Sequence, residues 1–220
     1  THTEWLEDTE QFVATHARTA RTMADAIKAR TAQQPARRFG VVHLEGMIGA
    51  SRTDGLRAVF EAVTNEALDM AEAHHESVGG QRFSIGFVRL NHVASARRLA
   101  CWLHQREDAD DWSIRVVCLT ARLGRRERAW IEDELGAVLN RKTGAWRDAA
   151  SVERAIQSSH RDVLVIVVTT PIIEAGRDFD FDWGVLEPAS HQSVIQSAGR
   201  VRRHRTAIAS DHPNVRLMSH

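Results

Sequence analysis

Apolar residues recur along this chain in two rhythms, and the alternation between them sets the expected architecture. Trp5-Leu6, Phe12-Val13, Ala17, Ala20, Met23-Ala24 and Ile27 return near helical spacing, which predicts a long amphipathic helix over residues 4–32, ended by Gln33-Gln-Pro-Ala-Arg-Arg. Residues 39–44 read as a strand. Residues 54–75 read as a helix with Leu56, Val59-Phe60, Val63, Ala67-Leu68 and Ala71 inward, and Gly79-Gly80 marks a turn. The pattern then predicts a strand over 84–90, a helix over 93–104, a strand over 114–119, a helix over 125–140 and a polar connection over 142–148. The run 163–168 is short, apolar and β-branched, which suits a strand buried on both faces of a parallel sheet. Strands alternating with helices, without repeats or low-complexity tracts, predict a parallel sheet covered on both faces. The stripe of the first helix needs an apolar partner, because so long a helix gains its stability in water from burying Trp5, Phe12, Met23 and Ile27.

Two blocks of candidate chemistry follow the buried strand. Thr169 and Thr170 stand at its C-terminal edge, where ligands bind in open α/β sheets. Thr170-Pro-Ile-Ile-Glu-Ala-Gly176-Arg-Asp178 then gathers hydroxyls, the permissive backbone of Gly176 and a carboxylate at a place suited to phosphate or ribose. The second block is Gln196-Ser-Ala-Gly199-Arg200-Val-Arg202-Arg203, with Arg205 close behind. A guanidinium is always charged and its planar fork matches phosphate oxygens, so these arginines suit neutralisation of charge in phosphoryl transfer.

Together the blocks read Thr-x5-Gly-x-Asp and Gln-x2-Gly-Arg-x2-Arg, a spacing that resembles motifs V and VI of superfamily 2 helicases and translocases, in the second of their two RecA-like lobes. The segment 84–104, extended and then helical, resembles motif IV of the same lobe. More narrowly, Thr170-Pro171, Glu174, Gly176-Arg177-Asp178, Phe181-Asp182-Trp183, Val185, Glu187-Pro188-Ala189-Ser190 and Ile195-Gln196 through His204-Arg205 resemble the CRISPR-associated helicase-nuclease of type I systems, subtype I-F in particular. The resemblance implies an α/β fold: a three-layer RecA-like lobe of the P-loop NTPase type over residues 37–220, with a mainly parallel sheet, preceded by the helix of residues 1–36 that would link from a first lobe.

The resemblance also implies roles. Arg200 and Arg203 would be arginine fingers reaching the β- and γ-phosphates of an ATP held mainly by the first lobe, with Gln196 orienting their turn and Gly199 beside the nucleotide. Gly176 and Asp178 would face nucleotide and fingers, while Thr169 and Thr170 would contact the nucleic-acid backbone or relay that contact. Arg202 stands where many relatives have Gly. Thr120 stands where the family often has His; Arg122, with Arg125, Arg126 and Arg128, either presents guanidiniums to phosphates or belongs to a solvated helix face paired with Glu127 and Glu132. Bland alternatives stand beside the other roles. Arg200 and Arg203 could form ion pairs, Asp178 could cap a turn, the threonines could be ordinary strand residues, and Glu174 could pair with an arginine. Trp102, Trp130 and Trp183 fit core or interface anchors better than base-stacking platforms, and His74-His75 reads as surface.

Composition narrows this further. The chain lacks a Gly-x4-Gly-Lys-Ser/Thr phosphate loop; its only lysines are Lys28 and Lys142, and neither follows a glycine-rich turn. No Asp-Glu box for magnesium follows an apolar strand. His74-His75 and His160-Arg-Asp162 are the nearest His/Asp groupings, and both lie outside the family's nuclease pattern, so no metal site is expected. The 220 residues suit one RecA-like lobe rather than two. With 29 acidic and 29 basic residues there is no global attraction to nucleic acid, leaving the cluster 200–205 as the clearest local one. Cys101 and Cys118, in apolar surroundings, are expected to be buried free thiols of a cytoplasmic protein, without secretory signal or membrane span.

The expectation is therefore the C-terminal motor lobe of an ATP-dependent 3′–5′ single-stranded DNA translocase and helicase-nuclease in CRISPR interference, inactive alone. It would share ATP and Mg2+ with a missing first lobe. Its expected partners are that lobe and the nuclease domain of the same protein, single-stranded DNA, and a guide-RNA surveillance complex. The competing readings are a lobe of another superfamily 2 DNA or RNA helicase and a non-catalytic interaction module.

Overall fold

The computed structural model describes residues 22, 37–44, 52–106, 108–109, 111–175, 177–205 and 211–219. The expected helix over 4–32, apart from Thr22, and Gly176 lie outside the described residues.

Eight strands form one sheet in which β1 (Phe39–Val42), β8 (Val215–Met218), β7 (Trp183–Leu186), β3 (Gln81–Arg89), β6 (Asp162–Thr169), β5 (Trp112–Leu119) and β4 (Asp108–Ala109) lie side by side. β2 (Glu76–Val78) pairs with the start of β3. The major strands run parallel; the exceptions are β2 and β4, which fold back antiparallel onto β3 and β5. Gly79 and Gly80 close the β2–β3 hairpin with φ of +60° and +87°, which is why two glycines stand there. The strands β3 and β6 pair along their length, Phe83 opposite Val163 through Arg89 opposite Thr169. Both are buried over most of their length, which suits the apolar run of β6 and the Phe83, Ile85, Phe87 and Val88 of β3.

Helices cover both faces. One core layer joins α1 (Arg52–Ala73) and α2 (Val93–His104) to the sheet through Phe60, Val63, Met70, Leu99 and Leu103 against Val88, Leu164, Ile166 and Trp183. The opposite layer packs α3 (Arg125–Leu139), α4 (Ala150–Gln157) and α5 (His191–Ala198) through Leu135, Leu139, Val152 and Ala198 against Phe87, Val163, Val167 and Phe181. The result is the three-layer α/β arrangement that the strand and helix rhythms call for.

The centre of the sheet is keyed by reciprocal glycine–aromatic pairs. Gly86 lies opposite Trp183 and Phe87 opposite Gly184 in register. A Cβ on Gly86 would come within 2.1 Å of the Trp183 indole, and one on Gly184 within 2.7 Å of the Phe87 ring. The buried Trp183 Nε1 donates to Ser84 Oγ at 3.0 Å, and that hydroxyl donates to His74 O at 2.7 Å. Gly86→Ala is expected to destabilise the lobe by about 1–3 kcal/mol through overpacking. A urea midpoint equal to the wild type would contradict this packing.

Several expectations need correction. Cys101 is exposed and Cys118 half-buried, both free, because Cys101 lies on the outer side of α2 while Ala96, Leu99, Ala100 and Leu103 take the core side. His74 is buried rather than superficial: its Nε2 lies 3.1 Å from Pro213 O, tying the end of α1 to the segment before β8. The connection after α3 is not simply polar, since a 3-10 turn over Gly144–Asp148 buries Trp146 against Phe83. Trp183 is core, whereas Trp130 is 63% exposed.

Candidate functional site

Strands β3, β5 and β6 end together, because Arg89, Leu119 and Thr169 share one register. Thr169 is fully buried, and its hydroxyl donates to Leu119 O at 2.8 Å, locking the ends of β5 and β6. Thr170 is also buried and precedes the 3-10 turn Pro171–Glu174, its carbonyl accepting from Ile173 N–H at 3.1 Å. Arg122 stands exposed in the turn just beyond β5. These three positions thus share the C-terminal edge, with only Arg122 reaching outward.

Glu174 knits this edge to α5. Its carboxylate accepts from the buried Arg89 Nε at 3.0 Å and from the hydroxyls of Ser193 and Ser197 at 3.1 and 3.3 Å. Its carbonyl accepts from Arg200 Nη2 at 2.9 Å. Arg89 also donates to Glu187 O at 2.7 Å. The arginine-pairing alternative for Glu174 is therefore the arrangement present.

The loop after α5 is organised by three aspartates at alternate positions. Asp180, buried, accepts the backbone N–H of Arg203 at 2.9 Å and of His204 at 3.1 Å. Arg205 donates to Asp180 Oδ1 at 2.8 Å, to Asp182 Oδ1 at 2.5 Å and to Phe181 O at 2.8 Å. Asp182, also buried, accepts Ile85 N–H at 2.8 Å, where β3 passes from its β2 partner to β7. Arg141 lies 3.6 Å from Asp182 and stacks on Trp146 at 3.4 Å from the ring centroid. Burial works against the charge on Asp182, yet Arg141 and Arg205 outweigh it and hold the carboxyl below the usual range. Burial likewise disfavours the charged Arg205, but Asp182 and Asp180 more than offset that and raise its pKa.

Asp178, the outermost of the three, remains half-exposed and meets three basic groups. Lys142 Nζ is 2.6 Å from Oδ2, while Arg203 Nε at 2.7 Å and His204 Nε2 at 3.0 Å meet Oδ1. The hydrogen bond from Lys142 is the largest cause of its depressed pKa. Arg200, by contrast, is buried, and among the described residues its Nε has no hydrogen-bond acceptor. Burial lowers its pKa, Arg203 adds to that, and Asp178 opposes it. A buried guanidinium edge without an acceptor beside a solvent-facing cationic loop is an arrangement that an oxyanion would complete.

A family model described as the C-terminal part of the CRISPR-associated nuclease/helicase Cas3 matches residues 82–206, which contain nearly all of these groups. The chain belongs to the Cas3 C-terminal family. It is 30% identical over 198 residues to a Cas3 of subtype I-F/YPEST from Pseudomonas aeruginosa strain UCBPP-PA14, covering 87% of this chain and 18% of that relative. It is 32% identical over 168 residues to the subtype I-F/YPEST Cas3 of Pectobacterium atrosepticum, covering 74% of this chain and 15% of that one. The chain thus spans less than a fifth of the curated relatives it matches. Among solved structures it resembles T. fusca Cas3 with AMPPNP at a TM-score of 0.55 and 16% identity, covering 83% of this chain and 18% of that one. The ATP-bound T. fusca Cas3 gives a TM-score of 0.53 at 15% identity, with 83% and 17% covered. The RecA-like α/β fold is shared.

Within this Cas3 lobe the positions singled out from sequence fall into two groups. Thr169, Thr170 and Arg122 sit at the strand ends; Asp178, Gly199, Arg200 and Arg203 gather around the loop that follows α5, with Gln196 exposed on that helix. Gly199 ends the helix, and its N–H donates to Ile195 O at 2.9 Å. Arg202 adopts φ +43°, so the family's frequent glycine at this position has a backbone reason. Sequence reasoning missed Arg89, Asp180, Lys142 and Arg141. The repeat Asp178-x-Asp180-x-Asp182 beside an arginine cluster was the available signal for Asp180. The other three carry no local pattern. Among the described residues, no helix is long and apolar enough to cross a membrane, and no three His, Cys, Asp or Glu side chains form a group that could hold a metal.

Proposed function

We propose that this chain is the second motor lobe of an ATP-driven, single-stranded DNA translocating Cas3 helicase-nuclease, and that it supplies arginine fingers to a nucleotide held mainly by a first lobe. The observation that carries the reading is the loop 200–205, clamped by Asp180 and Asp182 so that Arg203 faces solvent while the Arg200 Nε has no acceptor among the described residues. Such preorganisation places positive charge before the reaction begins, which is how a guanidinium stabilises phosphoryl transfer without rearranging at the transition state.

The residues fit a nucleotide polyphosphate: Arg203 and Arg200 would bear on it, with Gly199 and Gln196 setting the turn. Asp178 would hold Arg203 in position until a nucleotide arrives, and Gly176 would approach the nucleotide. Magnesium, when bound with the nucleotide, would supply Lewis-acid neutralisation of phosphate charge, and its ligands would come from the first lobe. Thr169 and Thr170, tied into the strand ends, would pass movement of the nucleic-acid side to Arg200 through the 3-10 turn, by way of the Thr170 carbonyl, Ile173 N–H and the neighbouring Glu174 carbonyl. Arg122 would meet the strand's phosphates directly. DNA exposed by a guide-RNA complex is the substrate this reading favours, and the cytoplasm its location.

The reading predicts that the purified chain alone hydrolyses ATP at no more than background rate, with or without single-stranded DNA, because half of the nucleotide site is supplied elsewhere. Phosphate release measured over hours checks this. Sustained turnover that copurifies with the chain would overturn it.

A further inference from the structure

Lys142 has no place in the motifs, yet its ammonium shares the carboxylate of Asp178 with Arg203 and His204. We infer that Lys142 and Arg203 form a two-jawed clamp for a nucleotide's polyphosphate, with Asp178 standing in as counter-ion when no nucleotide is bound. This rests on the proposed motor function and extends it to a residue that the motif pattern does not name.

Charge and geometry carry the argument. One carboxylate faces two permanent cations and an imidazole, and Asp180, the next acid along, is taken up by two backbone N–H groups and Arg205. Two more cations lie close by. Arg37 donates to Val201 O at 2.9 Å, its pKa lowered by burial against the attraction of Asp180, and Arg203 repels both Arg37 and Arg200. Cations thus crowd around Asp178, whose one carboxylate is shared among three basic groups. Lys142 and Arg203 are each about half-exposed, as is Asp178, so all three can reorganise without opening the core. Their donors converge on the two oxygens of one carboxylate, a spacing that neighbouring oxygens of a polyphosphate can also bridge. A polyphosphate carries several such charges and would compete for both cations at once. An ammonium on a flexible stem suits this exchange, since it follows a moving phosphate as a point charge.

The test uses the chain itself. Its only two lysines are Lys142 and Lys28, so acylation by an N-hydroxysuccinimide ester, followed by peptide mass spectrometry, reads Lys142 against Lys28 as internal reference. Inorganic tripolyphosphate at millimolar concentration, with ionic strength matched by sodium chloride, is expected to slow acylation of Lys142 relative to Lys28 by at least about threefold, and Arg203→Ala to reduce that protection. Unchanged relative reactivity overturns the clamp. So does equal protection by sulfate, which would mark simple screening, or protection by single-stranded oligonucleotide but not tripolyphosphate, which would make Lys142 a nucleic-acid contact.

A second arm separates this inference from the motor function itself. In the two-lobed protein, Lys142→Ala should raise the KM for ATP about tenfold, the scale of one charge-assisted hydrogen bond, with kcat little changed and Lys142→Arg largely restored. Normal KM in Lys142→Ala alongside lost turnover in Arg203→Ala would sink the clamp and leave the motor standing. Wild-type turnover in Arg203→Ala would sink the motor.

Discussion

Arg203→Ala is expected to lower ATP turnover by the complete two-lobed motor by about 10³-fold or more, the range set by removing an arginine finger. The structure explains why so large a functional loss should leave folding intact. The side chain of Arg203 is 43% exposed and, among the described residues, pairs with the similarly exposed Asp178, so its ion pair contributes little to stability. The backbone of the same residue is what the fold uses, through the N–H bond to Asp180, and alanine keeps that bond. The variant should therefore melt within a degree or so of the wild type and retain most of its affinity for single-stranded DNA. Arg200→Ala should also abolish turnover, but with a measurable loss of stability, because it removes a buried side chain that donates to Glu174 O. Steady-state phosphate release and thermal melting on the same samples separate the two. A wild-type rate in Arg203→Ala would refute its assignment as a finger.

Asp182→Ala should have the largest effect on stability, a loss of about 3–5 kcal/mol, because removing one member of a buried ion network leaves the remaining charges uncompensated. Arg205 and Arg141 would lose a partner and Ile85 N–H its acceptor, all in a region sealed from water. Urea denaturation of the lobe measures this; a midpoint close to the wild type would show that the network is not integral to the fold. The same carboxylate sets a pH dependence. Its folded-state pKa is depressed, so its contribution is fully present above the ordinary carboxylate range near pH 4 and is lost as pH falls through the lower folded value. Acid unfolding should accordingly be blunted in Asp182→Ala, which has less of this stabilisation to lose.

Most of the sheet could be read from the chain because its central strands are buried on both faces. Runs such as 163–168 had to be apolar and β-branched, and helices between them had to carry one-sided stripes. The strands that escaped notice are short: β7 spans four residues, all of them buried, with Trp183 lying over Gly86, which leaves no alternation to detect. β8 likewise has four residues. Helix α4 was hidden for a related reason, since an eight-residue helix offers barely two turns of pattern.

The candidate site was partly legible. Motif spacing located Asp178, Arg200 and Arg203, which the fold brings around one loop, but not which aspartate would do which task. Asp178 lies in solvent with Arg203, while Asp180 and Asp182, indistinguishable from it in sequence, are buried and hold the loop's backbone and Arg205. Burial separates these roles, and burial is a property of the tertiary fold. Lys142 was out of reach for the same reason: it comes from a connection 36 residues away that only the packing of Trp146 and Arg141 brings alongside. The error over Cys101 was one of helical phase, its apolar neighbours all falling on the other side of α2.

If this lobe completes a nucleotide site it cannot form by itself, DNA-stimulated ATP hydrolysis should arise on mixing the chain with a separately produced first lobe of the same motor. Turnover that appears only in the mixture, rises with single-stranded DNA and disappears with Arg203→Ala is the predicted result. Two folded lobes that associate, yet leave ATP unhydrolysed under every condition, would contradict the claim and favour a lobe that serves to bind partners.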